Sequence, residues 1–184
     1  MDNGASIYRR FLEGDEDALG ELIAQFSDGL ILYLKSITGN ICIAEEIMEE
    51  VFVTLVVDRP KFSGKSSFKT WLYAIARHTA ADCMKEYARL SQVPVDEMYH
   101  LSDEVDIQRS YIKSEEKTQL HNAIGRLKPD YAQVLYLVYF EDFTNSETAD
   151  IKKKSKRQIE NLLYRAKNAL KEELRKEGFV YEEL

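Results

Sequence analysis

The chain has 184 residues, 45% of them apolar, with 25 Lys or Arg against 32 Asp or Glu and a formal net charge of −7. That length suits one medium or two small domains, and that composition excludes disorder throughout. No basic start followed by an apolar run and no stretch of 18 apolar residues is present, which argues against secretion and membrane insertion and for a cytoplasmic protein.

Only eight Gly and three Pro, with long 3.6-residue periodicity, predict an all-α protein. Taken in order, the first predicted helix opens at Asp15 and runs to about Thr38, where Gly39 stops it. Its stripe is Leu19, Leu22, Ile23, Phe26, Leu30, Leu34 and Ile37. A second helix spans about Ile43 to Val57, apolar on Ile43, Ile47, Val51, Phe52 and Leu55, with Glu45, Glu46, Glu49 and Glu50 on the other face. The polar loop Lys61-Phe62-Ser63-Gly64-Lys65-Ser66-Ser67 follows, and Ser66 or Ser67 caps a third helix from Phe68 to about Leu90. Lys65, Lys69, Tyr73 and Arg77 recur every four residues, lining one face at intervals of about 6 Å. Cations with aromatics nearby suit single-stranded DNA, because rings stack on bases while cations meet phosphates. Trp71 and Phe68 in such a pattern are more often simply core.

Residues 91–113 break the pattern with Pro94 and five acids, predicting an irregular acidic linker. Fully extended, it reaches about 75 Å. A helix from Glu115 to Leu127 comes next, then one with Pro129 in its first turn and Tyr131, Val134, Leu135, Val138 and Tyr139 as its stripe. Thr144-x-x-Glu147 and Ser155-x-x-Gln158 are both capping-box patterns, so helices start near 145 and 156, separated by a tight turn. Residues 152–171 hold eight Lys or Arg and one acid, Glu160, a segment of about +7 in an acidic chain. Such a sign reversal on a helix-turn-helix is an electrostatic footprint for nucleic acid. An acidic tail, 177–184, closes the chain. Cys42 and Cys83 lie far apart in helical patterns and read as reduced packing residues. His78, His100 and His121 are isolated, and no metal-ligand spacing or phosphate loop occurs, so neither an enzyme nor a metal or cofactor is expected.

Three quoted stretches carry a resemblance. AEEIMEEVF (44–52), FSGKSSFKTWLYAIARHTAADCM (62–84) and LKPDYAQVLYLVYFEDFTNSETADI (127–151) followed by KRQIENLLYRAKNAL resemble regions 2.2, 2.3–2.4 and 4 of bacterial RNA polymerase sigma factors. The similarity is to the extracytoplasmic-function (ECF) branch of the sigma-70 family, over about residues 8–89 and 115–176. It implies two small helical domains joined by a linker: region 2 at 1–90, the acidic linker at 91–113, and region 4 at 114–184. It also implies roles. Glu46, Glu49 and Glu50 would meet the β′ clamp helices of core polymerase, and the first region 4 helix the β flap. Phe62, Ser63, Gly64, Lys65, Ser66, Ser67, Phe68, Lys69, Trp71, Tyr73, Arg77 and His78 would hold the unpaired minus-ten strand. Lys154, Ser155, Lys156, Arg157, Glu160, Asn161 and Arg165 would face the minus-35 element, and an anti-sigma factor is the expected regulator.

The chain departs from the family at His78, where Asn is frequent, at the acids where region 2.2 often has Gln, and in the turn. There Lys153-Lys154-Ser155 replaces Gly-Ile-Ser, so a Lys takes a conformation that Gly takes more easily. The alternative function, a helix-turn-helix regulator acting without polymerase, leaves 61–78 without a purpose. One further expectation is that the linker or tail lies on the basic helix in the free protein.

Overall fold

The structure is a computed structural model and describes residues 3–91 and 115–176. All regular elements among them are helical. The sequence dictates most of the boundaries. α1 is Asn3–Leu12, absent from the sequence reading, and it buries Ile7, Tyr8 and Phe11. α2 is Asp17–Thr38. It starts two residues after the expected Asp15 because that carboxylate turns back to Arg10, 2.6 Å away. Gly39, at φ 72°, ends it and donates its N–H to Lys35 O. Asn40 then starts α3, Ile41–Val57, by accepting the Cys42 and Ile43 N–H groups at 2.8 and 3.2 Å. That cap, worth about 1 kcal/mol, places the start two residues earlier than periodicity alone suggests. Cys42 is thereby exposed and not a packing residue, whereas Cys83 is half-buried.

α4, Phe68–Ser91, begins where Ser67 Oγ accepts the Thr70 N–H at 3.1 Å. α1 to α4 enclose one core whose centre is Leu22, Leu30, Leu34, Val51, Leu55, Phe68 and Leu72. Truncating one of these to Ala removes roughly 2–5 kcal/mol. The expected stripe holds except at Ile23, which is 37% exposed.

Past the linker, α5 is Glu115–Gly125 and α6 is Pro129–Leu135. Without a break, α6 widens into a π-helical turn, Tyr136–Phe140. α7, Asn145–Lys152, has the full capping box between Thr144 and Glu147. Lys153, at φ 51° and ψ 46°, makes the turn into α8, Lys156–Lys176. These helices enclose a second core around Ile124, Val134, Leu135, Tyr136, Ile159, Leu163 and Ala166. His121 is buried there, its Nδ1 sharing a 2.7 Å hydrogen bond with the Tyr136 hydroxyl. The acidic tail and all of the linker beyond Ser91 lie outside the described residues, as does the expected contact of either with the basic helix.

The two halves touch. α7 packs on α4, and α6 with its π-helical turn packs on α2. Leu137, Phe143 and Ile151 enter the first core, while Leu32 of α2 packs against the second.

Candidate nucleic-acid interface

The helix-turn-helix is the more exposed of the two expected surfaces. Both of its caps form: Gln158 Oε1 accepts the Ser155 N–H at 2.7 Å, and Ser155 Oγ accepts the Gln158 N–H at 3.2 Å. The periodicity of α8 turns Ile159, Leu163 and Ala166 inward and leaves Lys156, Arg157, Glu160, Asn161 and Arg165 exposed, with Lys154 and Ser155 exposed at its start. Tyr164, not singled out from the sequence, stands 70% exposed among them. Its signal was available: it lies seven residues after Arg157 on one helical face.

One lysine of the basic run is not on this surface. Lys152 is 4% exposed, its ammonium 3.0 Å from Asp130 and 2.5 Å from Gln133 Oε1. Burial drives the Lys152 pKa down although the Asp130 charge opposes it. Asp130 also feels burial, which pushes its carboxyl up, but the Lys152 charge and hydrogen bond hold it below the usual range. The two ends thus pull in opposite directions. At 3.0 Å, with the carboxylate half open to water, each charge favours the other.

The loop and helix at 62–78 are arranged differently from the expected continuous line. Ser63, Gly64 and Lys65 are exposed in the loop, Gly64 at φ 71°, and Ser66 and Ser67 are half-buried. Lys65 precedes α4 and so does not share its face. Phe62 and Trp71 are half-buried, their rings 5.3 Å apart. Each also meets Phe68, at 5.7 and 5.4 Å, and Phe68 is wholly buried. Tyr73 is wholly buried as well, between Tyr33 at 5.4 Å and Phe143 at 5.0 Å. Phe68 and Tyr73 therefore present nothing to a ligand here, because the core claims the first and the C-terminal half covers the second. His78 is exposed and paired with Asp82 at 3.0 Å; Arg77 is half-buried.

Lys69 is covered by carboxylate and ring. Its ammonium is 2.8 Å from Glu141 Oε2, donates to Glu141 O at 2.8 Å and lies 5.0 Å from the centre of the Phe143 ring. Beside it, Thr70 Oγ1 and Ser67 Oγ donate to Glu147 Oε1 at 3.1 and 3.5 Å. Thr70, 2% exposed, is a second member that sequence reading missed. Burial pushes the Glu147 carboxyl up, but hydrogen bonds from Thr144, Thr70 and Ser67 outweigh it and hold the pKa below its ordinary value. Ammonium and hydroxyl groups that suit a phosphate thus hold two carboxylates of the same chain.

The acidic face of α3 is open. Glu46, Glu49 and Glu50 are exposed, and the Tyr87 hydroxyl donates to Glu46 Oε2 at 2.6 Å. Glu46 and Glu50 line a groove between α3 and α4 with Ile47, Ile75, Asp82 and Tyr87. Three carboxylates rim it, so its potential is negative.

The model of Sigma-70 region 2 matches residues 22–90, and that of Sigma-70 region 4 matches residues 117–170. RNA polymerase sigma factor YlaC of Bacillus subtilis is 26% identical over 87% of this chain and 94% of its own length. ECF RNA polymerase sigma factor SigW of the same organism is 25% identical, over 89% of this chain and 92% of its own length. ECF RNA polymerase sigma factor BldN of Streptomyces coelicolor is 28% identical over 89% of this chain, but the match spans only 63% of that longer relative. The fold matches that of the sigma factor RpoE from Bartonella quintana, solved in complex with the anti-sigma factor NepR. The TM-score is 0.70 at 20% identity, covering 85% of this chain and 96% of that one. With both regions present, in order, on an all-helical chain of two cores, the chain belongs to the sigma-70 family of RNA polymerase sigma factors, in its ECF branch.

Proposed function

We propose that this chain binds core RNA polymerase in the cytoplasm and, without catalysing a reaction itself, directs initiation at promoters with minus-ten and minus-35 elements. The two matched regions, in order, carry the reading. Residues 1–90 serve as region 2 and 114–184 as region 4. The exposed carboxylates Glu46, Glu49 and Glu50 suit a basic helical surface such as the β′ clamp, and the start of the C-terminal half suits the β flap. The exposed face of α8 enters a major groove, its cations meeting phosphates and Arg157 and Asn161 reaching base edges. The loop 62–67 with Lys69, Trp71, Arg77 and His78 holds the melted strand. An anti-sigma factor is the regulator that the complex of RpoE with NepR suggests.

The closed arrangement is then the unengaged one. A strand cannot reach Lys69 or Thr70 while Glu141 and Glu147 occupy them, so engagement must part the halves. Closure is not the tightest packing the chain could have. The Tyr33 and Thr148 hydroxyls are buried without a hydrogen-bond partner, and each such group costs about 1–3 kcal/mol. Run-off transcription with purified core polymerase decides the matter. Promoter-dependent product from the intact chain is expected, and its absence from every promoter offered sinks the reading.

A further inference from the structure

Several side chains near the start of α8 are already engaged. Gln158 is spent on the capping box with Ser155. Lys154 lies 3.9 Å from Asp130, and Lys167 sits over the Tyr139 ring at 5.2 Å. The outward face that remains carries Arg157, Glu160, Asn161, Tyr164 and Arg165, all exposed. It offers two guanidiniums, an amide, a phenol and a single carboxylate.

The carboxylate is the odd member. An acid on a helix followed by a cation three or four residues on ordinarily pairs with it, and the reverse order is weaker. α8 does this at its far end, where Glu172 meets Arg175 at 2.9 Å and Glu173 meets Lys176 at 2.6 Å. Glu160 has its cations in the weaker order, Lys156 four residues before it and Arg157 three before it, and among the described residues no ion pair joins it to either. It is exposed on the face that the other groups suit to DNA.

Against phosphate a carboxylate only repels, so Glu160 adds nothing to backbone contact. Against base edges its sign discriminates. An ionised carboxylate accepts hydrogen bonds and cannot donate. The major groove offers donors only at cytosine N4 and adenine N6, whereas guanine O6 and N7 and thymine O4 are acceptors that meet it with like partial charge. We infer that Glu160 sets base choice at one pair of the upstream promoter element, admitting cytosine or adenine on the strand it faces and rejecting guanine and thymine. Asn161 and Arg157, on the same outward face, suit adenine and guanine at adjoining pairs. The element read by this chain then carries an amine-bearing base at a place where a cationic side chain would select guanine.

The inference rests on the promoter-recognition reading above, and one experiment separates the two. Full-length protein with core polymerase transcribes a set of promoters in which each upstream base pair is replaced in turn, using wild type, Glu160→Ala and Glu160→Arg. Wild type should prefer cytosine or adenine at one pair by roughly ten- to a hundredfold, the range of a single good base contact. Glu160→Ala should shrink that preference to within about twofold while every other pair keeps its own, since distant contacts act nearly independently. Glu160→Arg should move the choice at that pair to guanine. Identical preferences for wild type and Glu160→Ala overturn the inference. A uniform loss at all pairs overturns it too, marking Glu160 as structural. Wild type without any upstream preference removes the promoter reading and this one with it.

Discussion

At the scale of single residues, one side chain holds its backbone in a costly state and another holds a charge that the fold stabilises. Lys153 sits in the left-handed region at φ 51°, where a Cβ is crowded by roughly 1–2 kcal/mol, and the Lys154 N–H closes the turn onto Ala149 O at 3.0 Å. Lys153→Gly should therefore stabilise the chain by about 0.5–1 kcal/mol net of the freedom Gly gains when unfolded, read as a higher Tm. A lower Tm would mean that the Lys stem contributes packing that outweighs its strain. This strain was legible through the family resemblance, because Lys153-Lys154-Ser155 stands where the related turn has Gly-Ile-Ser. Glu147 is the second case. Its depressed pKa means that the folded state holds fewer protons than the unfolded one, so its contribution is present above the ordinary value of 4.5. That contribution is lost as pH falls through the lower folded value. Thermal melts of wild type and Glu147→Gln should differ at pH 7 and converge under acid, whereas a constant gap across that window would assign Glu147 a role independent of its charge.

At the scale of elements, the caps decided which boundaries could be read. α7 and α8 start where Thr144 and Ser155 predict, and Pro129 opens α6 as its missing N–H allows. α1 went unread because it is short: its apolar face is well marked, but ten residues with three buried side chains were passed over ahead of the long helices that follow. The π-helical turn was invisible for another reason: an extra residue within Tyr136–Phe140 shifts the stripe without interrupting it. The face of α8 was legible in its charge and blind in its partners, since nothing local shows Lys152 sinking onto Asp130. Because Lys152 is buried and Lys154 is near Asp130, four to six other cations are left for phosphates. Binding of the intact chain to an upstream duplex should then follow salt with a log–log slope of about −4 to −5. A slope near zero would refute the footprint.

At the scale of the whole molecule, closure was not legible. It joins Lys69 to Glu141 and Thr70 to Glu147 across 72 and 77 residues; Glu147 already had a sufficient local reason in its capping box, and nothing singled out Glu141. Gly29 shows how close the halves come. A Cβ built on it would stand 2.5 Å from Glu141 Oε1 and 2.6 Å from the Tyr73 hydroxyl. The other oxygen of Glu141 holds Lys69 at 2.8 Å, and Tyr73 is held by rings on two sides. Within α2 alone, Gly29→Ala should gain about 1 kcal/mol of helix propensity; its contact with Glu141 favours opening, while its contact with Tyr73 lies inside the first half. If the free chain is closed nine-tenths of the time, freeing it should raise its affinity for an unpaired minus-ten oligonucleotide about tenfold. Fluorescence anisotropy on the intact variant reads this directly. Unchanged affinity, with an unchanged radius of gyration, would show that the halves do not gate the strand site.

The π-helical turn carries a consequence for how the chain melts. It sends Tyr136 into one core and Leu137 into the other, so a single backbone segment belongs to both. Neither half can lose its order without dragging that segment with it. Calorimetry of the wild type should accordingly give one endotherm whose van't Hoff and calorimetric enthalpies agree, and two resolved endotherms would refute the coupling through that segment. A sigma factor parked in this form melts as a single cooperative unit, and acquires two separable stabilities only once it is at work.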